Sequence, residues 1–125
     1  MPASRHILLV DDDPVFLASM AKALRLSRYR VTTADHFSAA LNTVEGVEKP
    51  DVLVTDLVMP RSVNGLALAR MVRLRHPPVA TVFLTGYNVP AVEQEAFGPV
   101  LRKPVEPAQL IAAIEAECAR RAGET

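Results

Sequence analysis

The chain has 125 residues, half of them hydrophobic, which suits one domain with a buried core and is too short for two. Fourteen basic and fourteen acidic residues give a formal net charge of zero, which argues against direct binding of nucleic acid. No apolar run reaches membrane-spanning length and no signal-peptide core precedes the first strand, so we expect a cytoplasmic protein without membrane contact. Residues 1–125 are expected to form a single domain.

The amino-terminal segment combines a buried strand with an amphipathic helix. The predicted first strand, His6 to Val10, is almost continuously apolar, as expected for a strand covered on both faces. Asp13 and Pro14 then suit a helix start, because a capping side chain is followed by a proline that needs no N–H partner. The predicted buried face of this helix comprises Phe16, Met20, Ala23 and Leu24.

A second strand and a second helix follow. The strand is predicted over Arg30 to Thr33, and the helix ends near Gly46. The helix has apolar residues at helical spacing, namely Phe37, Ala40, Leu41 and Val44. Pro50 then breaks the chain before a third strand, Asp51 to Thr55.

The segment after Asp56 contains a third helix and a fourth strand. A polar turn leads to Gly65, where the helix begins, and His76-Pro77-Pro78 stops it. The strand, Ala80 to Leu84, follows directly. Beyond it there is room only for a loop and a short helix of about Ala91 to Phe97.

A last strand and helix complete the chain. The strand is predicted over Pro99 to Arg102, and Glu106 and Pro107 start the helix. The predicted buried face of this helix comprises Leu110, Ile111, Ile114 and Cys118. Strands that alternate with helices in this way predict an α/β fold with a parallel sheet.

Polar residues follow four of these strands at the point where each strand ends. They are Asp11-Asp12, Asp56, Thr85 and Lys103-Pro104. Open α/β sheets bind ligands outside the carboxyl ends of their strands, so residues far apart in the sequence can meet there. The sequence therefore predicts one site at this edge of the sheet.

The residue types at these strand ends favour phosphate chemistry. Carboxylates of Asp11, Asp12 and Asp56 would repel one another unless a cation or a raised pKa relieved them, and Mg²⁺ prefers such oxygen ligands. The Lys103 ammonium and the Thr85 hydroxyl can bind phosphoryl oxygens. One oxygen of Asp56 would then remain as a nucleophile, which predicts an aspartyl phosphate.

Each feature also has an ordinary structural explanation. An acidic triplet at a helix start commonly caps the helix, and an isolated strand-end aspartate, threonine or Lys-Pro commonly forms a turn. A purely structural explanation must, however, place four such features independently at the same edge of the sheet. The joint functional interpretation is therefore favoured.

Taken in order, the motifs resemble those of a receiver domain of bacterial two-component response regulators, over nearly the whole chain. They are Val10-Asp11-Asp12-Asp13, the run from Asp56 to Pro60, Gly65, Thr85-Gly86 and Lys103-Pro104. The resemblance implies a doubly wound, five-stranded parallel sheet with helices on both faces, the flavodoxin-like receiver fold. Here the fourth helix of that fold would be shortened.

The resemblance also implies roles for the acidic residues. Asp56 would accept a phosphoryl group from a histidine kinase or a histidine phosphotransferase. Asp11 and Asp12 would position Mg²⁺ beside it, and the backbone carbonyl of Val58 would complete the protein ligands of the metal.

By the same resemblance, Thr85 and Lys103 would contact the phosphoryl group, and the bond from Lys103 to Pro104 would be cis. Such a domain catalyses only its own phosphorylation and dephosphorylation and is otherwise not an enzyme. Its output would be a change in binding to a downstream protein, whose identity the sequence does not give.

The chain departs from the family at the positions that usually report phosphorylation. The last strand usually carries an aromatic residue three positions before the lysine, and here that position is Val100. A branched aliphatic side chain cannot make the same ring movement. Tyr87, two residues after Thr85, is the candidate replacement, and our hypothesis is that NMR would find it in different environments with and without a phosphoryl mimic.

Two other functions share part of this pattern. A phosphatase of the haloacid-dehalogenase type also uses a nucleophilic aspartate with magnesium, but it needs an acidic residue two positions after Asp56, where Val58 stands. A receiver fold kept only for protein interaction would be expected to lose the acceptor or the lysine, and both are present. The phosphoacceptor is therefore the preferred function.

Overall fold

The computed structural model describes residues 4–58, 64–86 and 96–123. Within these ranges lie five strands and four helices, and a helix follows every strand except the fourth. The strands are β1 (His6–Val10), β2 (Arg30–Ala34), β3 (Val52–Asp56), β4 (Ala80–Thr85) and β5 (Val100–Arg102). The helices are α1 (Pro14–Leu26), α2 (Phe37–Glu45), α3 (Gly65–Arg75) and α4 (Pro107–Ala122).

The sheet is parallel throughout, with the strand order β2-β1-β3-β4-β5. The chain therefore winds first toward one edge and then, from β1 across to β3, toward the other. This reversal creates a crevice at the carboxyl ends of β1 and β3, where such sheets bind ligands. The predicted α/β fold with a doubly wound, five-stranded sheet is confirmed, with strand ends that differ by about one residue.

Helices cover both faces of the sheet. Side chains from α1 and α4 pack on one face and side chains from α2 and α3 on the other, so two hydrophobic clusters share the sheet between them. Every residue of β1, β3 and β4 is buried. This double coverage explains why these strands lack the alternation of polar and apolar residues seen in half-exposed strands.

The buried face of α1 differs from the predicted one. Its buried residues are Leu17, Met20, Ala21 and Leu24. Phe16 and Ala23, predicted to be in the core, are only half-buried. Both sets have helical spacing, so periodicity alone could not choose between them. Relative to the prediction, α1 is rotated about its axis, and the Phe16 ring therefore lies near the carboxyl edge of the sheet.

The last helix follows its prediction more closely. Leu110, Ile114 and Cys118 of α4 are buried, while Ile111 is half-buried. The helix also buries Glu117, whose carboxylate lies 2.6 Å from a guanidinium nitrogen of Arg120. A buried carboxylate on this face was not predicted, and the ion pair is what makes it tolerable.

Three predictions fall wholly or largely outside the described residues. They are Tyr87, the short helix of about Ala91 to Phe97, and the polar turn that precedes Gly65. Across the described ranges, none of the helices combines the length and apolar character needed to cross a membrane.

Candidate functional site

The three predicted carboxylates meet at the carboxyl edge of the sheet. One carboxylate oxygen each from Asp11, Asp12 and Asp56 lies within 4.8 Å of the others. Asp11 is fully buried and Asp56 is 7% exposed, whereas Asp12 faces solvent. The site is therefore a cleft with two buried carboxylates and one solvent-exposed carboxylate.

Local structure holds the two buried carboxylates in place. Asp11 follows β1 and accepts a hydrogen bond from the backbone N–H of Asp13 at 2.9 Å. Asp13 in turn caps α1, because its side chain accepts from the backbone N–H of Val15 at 2.9 Å. Asp56 ends β3 and accepts from the backbone N–H of Val58 at 3.2 Å.

Lys103 supplies the positive charge of the site. Its Nζ lies 2.6 Å from Asp11 Oδ2 and 3.3 Å from Asp56 Oδ2, so one ammonium bridges the two buried carboxylates. The side chain of Lys103 is 23% exposed. Charge-assisted hydrogen bonds of this kind are stronger than neutral ones and fix the geometry of the carboxylates.

Backbone pairing brings Lys103 beside Thr85. The backbone N–H of Lys103 donates to the Thr85 carbonyl at 2.8 Å, which extends the pairing of β4 with β5 by one step. Thr85 ends β4 and is 3% exposed. The bond from Lys103 to Pro104 is cis. The structure thus brings together Asp11, Asp12, Asp56, Thr85 and Lys103, which sequence analysis had placed at one edge.

A glycine allows α3 to begin close against the end of β3. A Cβ at Gly65 would lie 2.2 Å from the backbone carbonyl oxygen of Asp56, far inside van der Waals contact. The Gly65 N–H donates to the carbonyl of Leu57 at 2.9 Å. The missing side chain therefore lets the start of α3 support the segment that carries Asp56.

The electrostatics of the site disfavour a charged Asp56. Burial raises the pKa of its carboxyl group above the ordinary value, the Lys103 ammonium opposes this effect, and the Asp11 carboxylate adds to it. Burial lowers the pKa of Lys103, but the hydrogen bond to Asp11 and the charges of Asp11 and Asp56 outweigh it, so the net shift is upward. The site is thus short of positive charge.

This imbalance predicts that Asp56→Asn stabilises the metal-free protein. A carboxyl group whose pKa is raised on folding costs stability above that pKa, and the cost disappears as pH falls through its unfolded value of 3.8. Asparagine removes the charge, while Asp11 still pairs with Lys103. We expect the melting temperature to rise by about 2–5 °C at pH 7 without divalent ions. The gain should shrink as the pH approaches 4.

Circular dichroism melts in a chelating buffer measure this difference. Asp12→Asn is the matched comparison, and it should gain less because exposed Asp12 keeps its hydration. An Asp56→Asn protein that melts below the parent at pH 7 would contradict the electrostatic assignment.

Two further residues named in the sequence analysis, Val100 and Val58, lie within the described ranges. Val100 is in register with Phe83 of the neighbouring strand and is partly buried against the cluster beneath α2 and α3. Val58 follows Asp56 by two residues and is half-buried. Tyr87 lies outside the described residues, so its proposed switching role stays a prediction.

Sequence analysis missed one residue of the site. The ring centroid of Phe16 lies 4.6 Å from Lys103 Nζ, within the range of a cation–π interaction. The residue had been assigned to the core face of α1. No local signal could have revealed this contact, because it depends on the rotation of α1 about its axis.

Known proteins match both the sequence and the fold. A family profile described as the response regulator receiver domain matches residues 7–115. The response regulator receiver protein CpdR of Brucella abortus is 33% identical over 116 residues, which cover 89% of this chain and 94% of CpdR. The transcriptional regulatory protein FixJ of Azorhizobium caulinodans is 36% identical over 127 residues, covering 98% of this chain and 59% of FixJ.

Solved structures agree. A response regulator receiver domain protein from Clostridium thermocellum superposes with a TM-score of 0.82 and 26% identity, covering 97% of this chain and 99% of that one. A response regulator from Burkholderia pseudomallei, solved with a phosphorylated aspartic acid, a calcium ion and citrate, gives 0.82 and 27% identity over 97% of this chain and 72% of that one.

The chain belongs to the response regulator receiver domain family. Its function is that of a receiver domain in two-component signalling, where phosphoryl groups are relayed between proteins. The assignment agrees with the predicted fold and with the acidic cluster at the carboxyl edge of the sheet.

Proposed function

We propose that Asp56 is the phosphoacceptor of this domain and that residues 1–125 form one phosphorylation-controlled unit. The observation that carries the proposal is the meeting of Asp11, Asp12 and Asp56 with Lys103 in one cleft. An Asp56 oxygen attacks phosphorus, the bond from phosphorus to the donor nitrogen breaks, and the donor leaves. The product is an aspartyl phosphate.

The donor set fits a hard divalent cation. Three carboxylates face one ammonium among these side chains, which leaves two negative charges uncompensated when all are ionised. Oxygen ligands, one of them exposed to solvent, suit Mg²⁺, which usually keeps several of its waters. Asp11, Asp12 and Asp56 would hold the ion together with the Val58 carbonyl. When bound, it would neutralise charge on the phosphoryl oxygens.

The protein side chains do the remaining work. The Lys103 ammonium already lies near Asp56 and would hold a phosphoryl oxygen there, and the Thr85 hydroxyl would donate to another. Phosphoryl transfer of this type requires mainly positioning and charge neutralisation and needs no dedicated base. We therefore regard the domain as a phosphoacceptor that catalyses only its own phosphorylation and dephosphorylation.

The phosphodonor is a histidine kinase or a histidine phosphotransferase, as the family assignment favours. The Burkholderia relative was solved with a phosphorylated aspartic acid and a calcium ion, which supports the same chemistry here. Phosphorylation would change binding to a downstream protein. Tyr87 and Val100 remain the candidates for coupling the site to that change.

A haloacid-dehalogenase phosphatase is not favoured. That mechanism needs an acidic residue two positions after the nucleophile, and Val58 occupies this position. An interaction module without phosphorylation is disfavoured as well. Asp56 and Lys103 are both present, and Lys103 Nζ lies 3.3 Å from Asp56 Oδ2.

A phosphorylation assay tests the proposal. The protein is incubated with phosphoramidate and Mg²⁺, and its intact mass is measured. We expect one phosphoryl group on the parent, stable in acid and labile in base, and none when Mg²⁺ is removed by a chelator.

Asp56→Asn is the control, and it should remain unmodified although it keeps the fold. The proposal fails if Asp56→Asn is phosphorylated as fast as the parent, or if the folded parent stays unmodified with Mg²⁺ and donor in excess.

A further inference from the structure

The ammonium of Lys103 has a third neighbour besides the two carboxylates. Phe16 of α1 presents its ring with the centroid 4.6 Å from Nζ. Phe16 is half-buried and packs beside the cluster beneath α1 and α4. It also lines a cavity of about 460 Å³ next to Lys103 and Pro104. The lysine head group therefore lies between an acidic cleft and an aromatic ring.

This position matters for phosphoryl transfer because the Lys103 ammonium lies closer to Asp11 than to Asp56, the proposed phosphoacceptor. Its distance is 2.6 Å to Asp11 but 3.3 Å to Asp56. A divalent cation that took over the charge of Asp11 would weaken the shortest contact of the lysine. A lysine side chain has four flexible bonds. Without a partner that replaces Asp11, the Lys103 side chain would adopt several conformations that point toward solvent.

The aromatic ring is such a partner. The negative face of a ring attracts an ammonium at this range, and the attraction does not consume a hydrogen bond of the lysine. The ammonium keeps its N–H groups for a phosphoryl oxygen while the ring limits its movement. Because α1 is fixed by the Asp13 cap and by buried Leu17 and Met20, the backbone that carries the ring is held in place.

We propose that Phe16 is a positioning residue that holds Lys103 beside Asp56 during phosphorylation. The proposal rests on the proposed function, since it assumes that Asp56 is the acceptor. The Phe16 side chain has no polar atom to offer a phosphoryl group or a metal, so it would act only through the lysine.

Substitutions separate this role from simple packing. Phe16→Leu and Phe16→Met keep apolar bulk but lose the ring face, whereas Phe16→Tyr and Phe16→Trp keep a ring face. If Phe16 only packs, leucine and methionine should be tolerated as well as the ring-bearing variants. If it positions Lys103, the ring-bearing variants should retain activity and the aliphatic ones should lose it. The adjoining cavity leaves room for the larger rings.

The assay measures the rate of phosphorylation by phosphoramidate with saturating Mg²⁺. In this reaction an Asp56 oxygen bonds to phosphorus as the P–N bond breaks, and ammonia leaves. We expect Phe16→Leu and Phe16→Met to react about fivefold more slowly than the parent, and Phe16→Tyr and Phe16→Trp to stay within about twofold of it. Phe37→Leu is the matched control, because Phe37 is also half-buried but packs on the opposite face of the sheet.

A spectroscopic signal tests the contact without activity. The chain has three lysines, Lys22, Lys49 and Lys103, so the ε-methylene signals of labelled lysine are readily assigned. Those of Lys103 should be shifted upfield by the ring current, and Phe16→Leu should abolish the shift while Phe37→Leu leaves it unchanged.

The outcomes distinguish the two proposals. Equal rates in all Phe16 variants, with Asp56 still phosphorylated in each, would overturn the positioning role and leave the phosphoacceptor intact. A Lys103 signal that is the same in Phe16→Leu and the parent would also overturn it. A folded parent that takes up no phosphate would overturn both.

Discussion

Lys103→Met is expected to slow phosphorylation of Asp56 by small phosphodonors about 100- to 1,000-fold. The substitution keeps an unbranched apolar side chain of nearly the same length but removes the ammonium, whose Nζ lies 2.6 Å from Asp11 Oδ2 and 3.3 Å from Asp56 Oδ2. Without it, the developing charge on the phosphoryl oxygens loses a fixed partner, and two buried carboxylates lose their only described ammonium. Intact mass measured over time gives the rate.

Mg²⁺ should partly compensate the electrostatic defect of this variant. With three carboxylates and no ammonium, the cleft should gain more thermal stability from added Mg²⁺ than the parent does. Lys22→Met is the matched control, because Lys22 lies on the exposed face of α1. Small donors should phosphorylate this variant as fast as the parent. Parent-like phosphorylation of Lys103→Met would contradict the role assigned to the lysine.

Gly98→Ala is expected to destabilise the domain by about 3 kcal/mol, at the upper end for an overpacked core. A Cβ at this buried position would lie 1.8 Å from the backbone carbonyl oxygen of Thr81. Gly98 is followed by Pro99, whose carbonyl accepts from the Phe83 N–H at 2.9 Å, so the backbone cannot move away without breaking the link between β4 and β5. The lysine that follows β5 would be displaced as well.

Thermal and urea unfolding measure this effect, and the melting temperature should fall by roughly 10 °C. Gly86→Ala is the matched control for stability, because a Cβ there would meet nothing within 4 Å, and neither glycine has a positive φ angle. That variant should be as stable as the parent or slightly more stable. Equal stabilities of Gly98→Ala and Gly86→Ala would contradict the predicted steric clash between residue 98 and the Thr81 carbonyl.

The ends of the strands, and so the residues at the site, could be predicted from a single property of buried parallel strands. Buried parallel strands are continuous apolar runs, and each run here stops at a polar residue. The rule that ligands bind at the carboxyl edge of the sheet then brings Asp11, Asp56, Thr85 and Lys103 together without any knowledge of side-chain conformation. The described structure places all four at that edge.

Other features were beyond the reach of the sequence because they depend on distances between separate elements. Helical periodicity allowed two buried faces of α1, and only packing against the sheet and α4 left Phe16 beside Lys103. The approach of Gly98 to Thr81 likewise has no local signal. The preference of the lysine for Asp11 over Asp56 is a matter of side-chain conformation, which the order of residues does not determine.

The electrostatics of Asp56, the proposed phosphoacceptor, link these observations. Burial raises the pKa of Asp56, and the surrounding charges leave the cleft two positive charges short. Such a site gains by binding a divalent cation, and the same cation and lysine would then attract the negative phosphoryl group. We propose that this unfavourable electrostatic energy at the carboxyl edge of the sheet prepares the site to bind a cation and a phosphoryl group.

Chemical trapping of the phosphorylated residue tests this account most directly. The protein is phosphorylated with phosphoramidate and Mg²⁺ and then reduced with borohydride, which converts an aspartyl phosphate to homoserine, and its peptides are sequenced by mass spectrometry. The account predicts homoserine at position 56 alone, dependent on Mg²⁺. Homoserine at position 11 or 12 instead, or none in the folded protein, would contradict it.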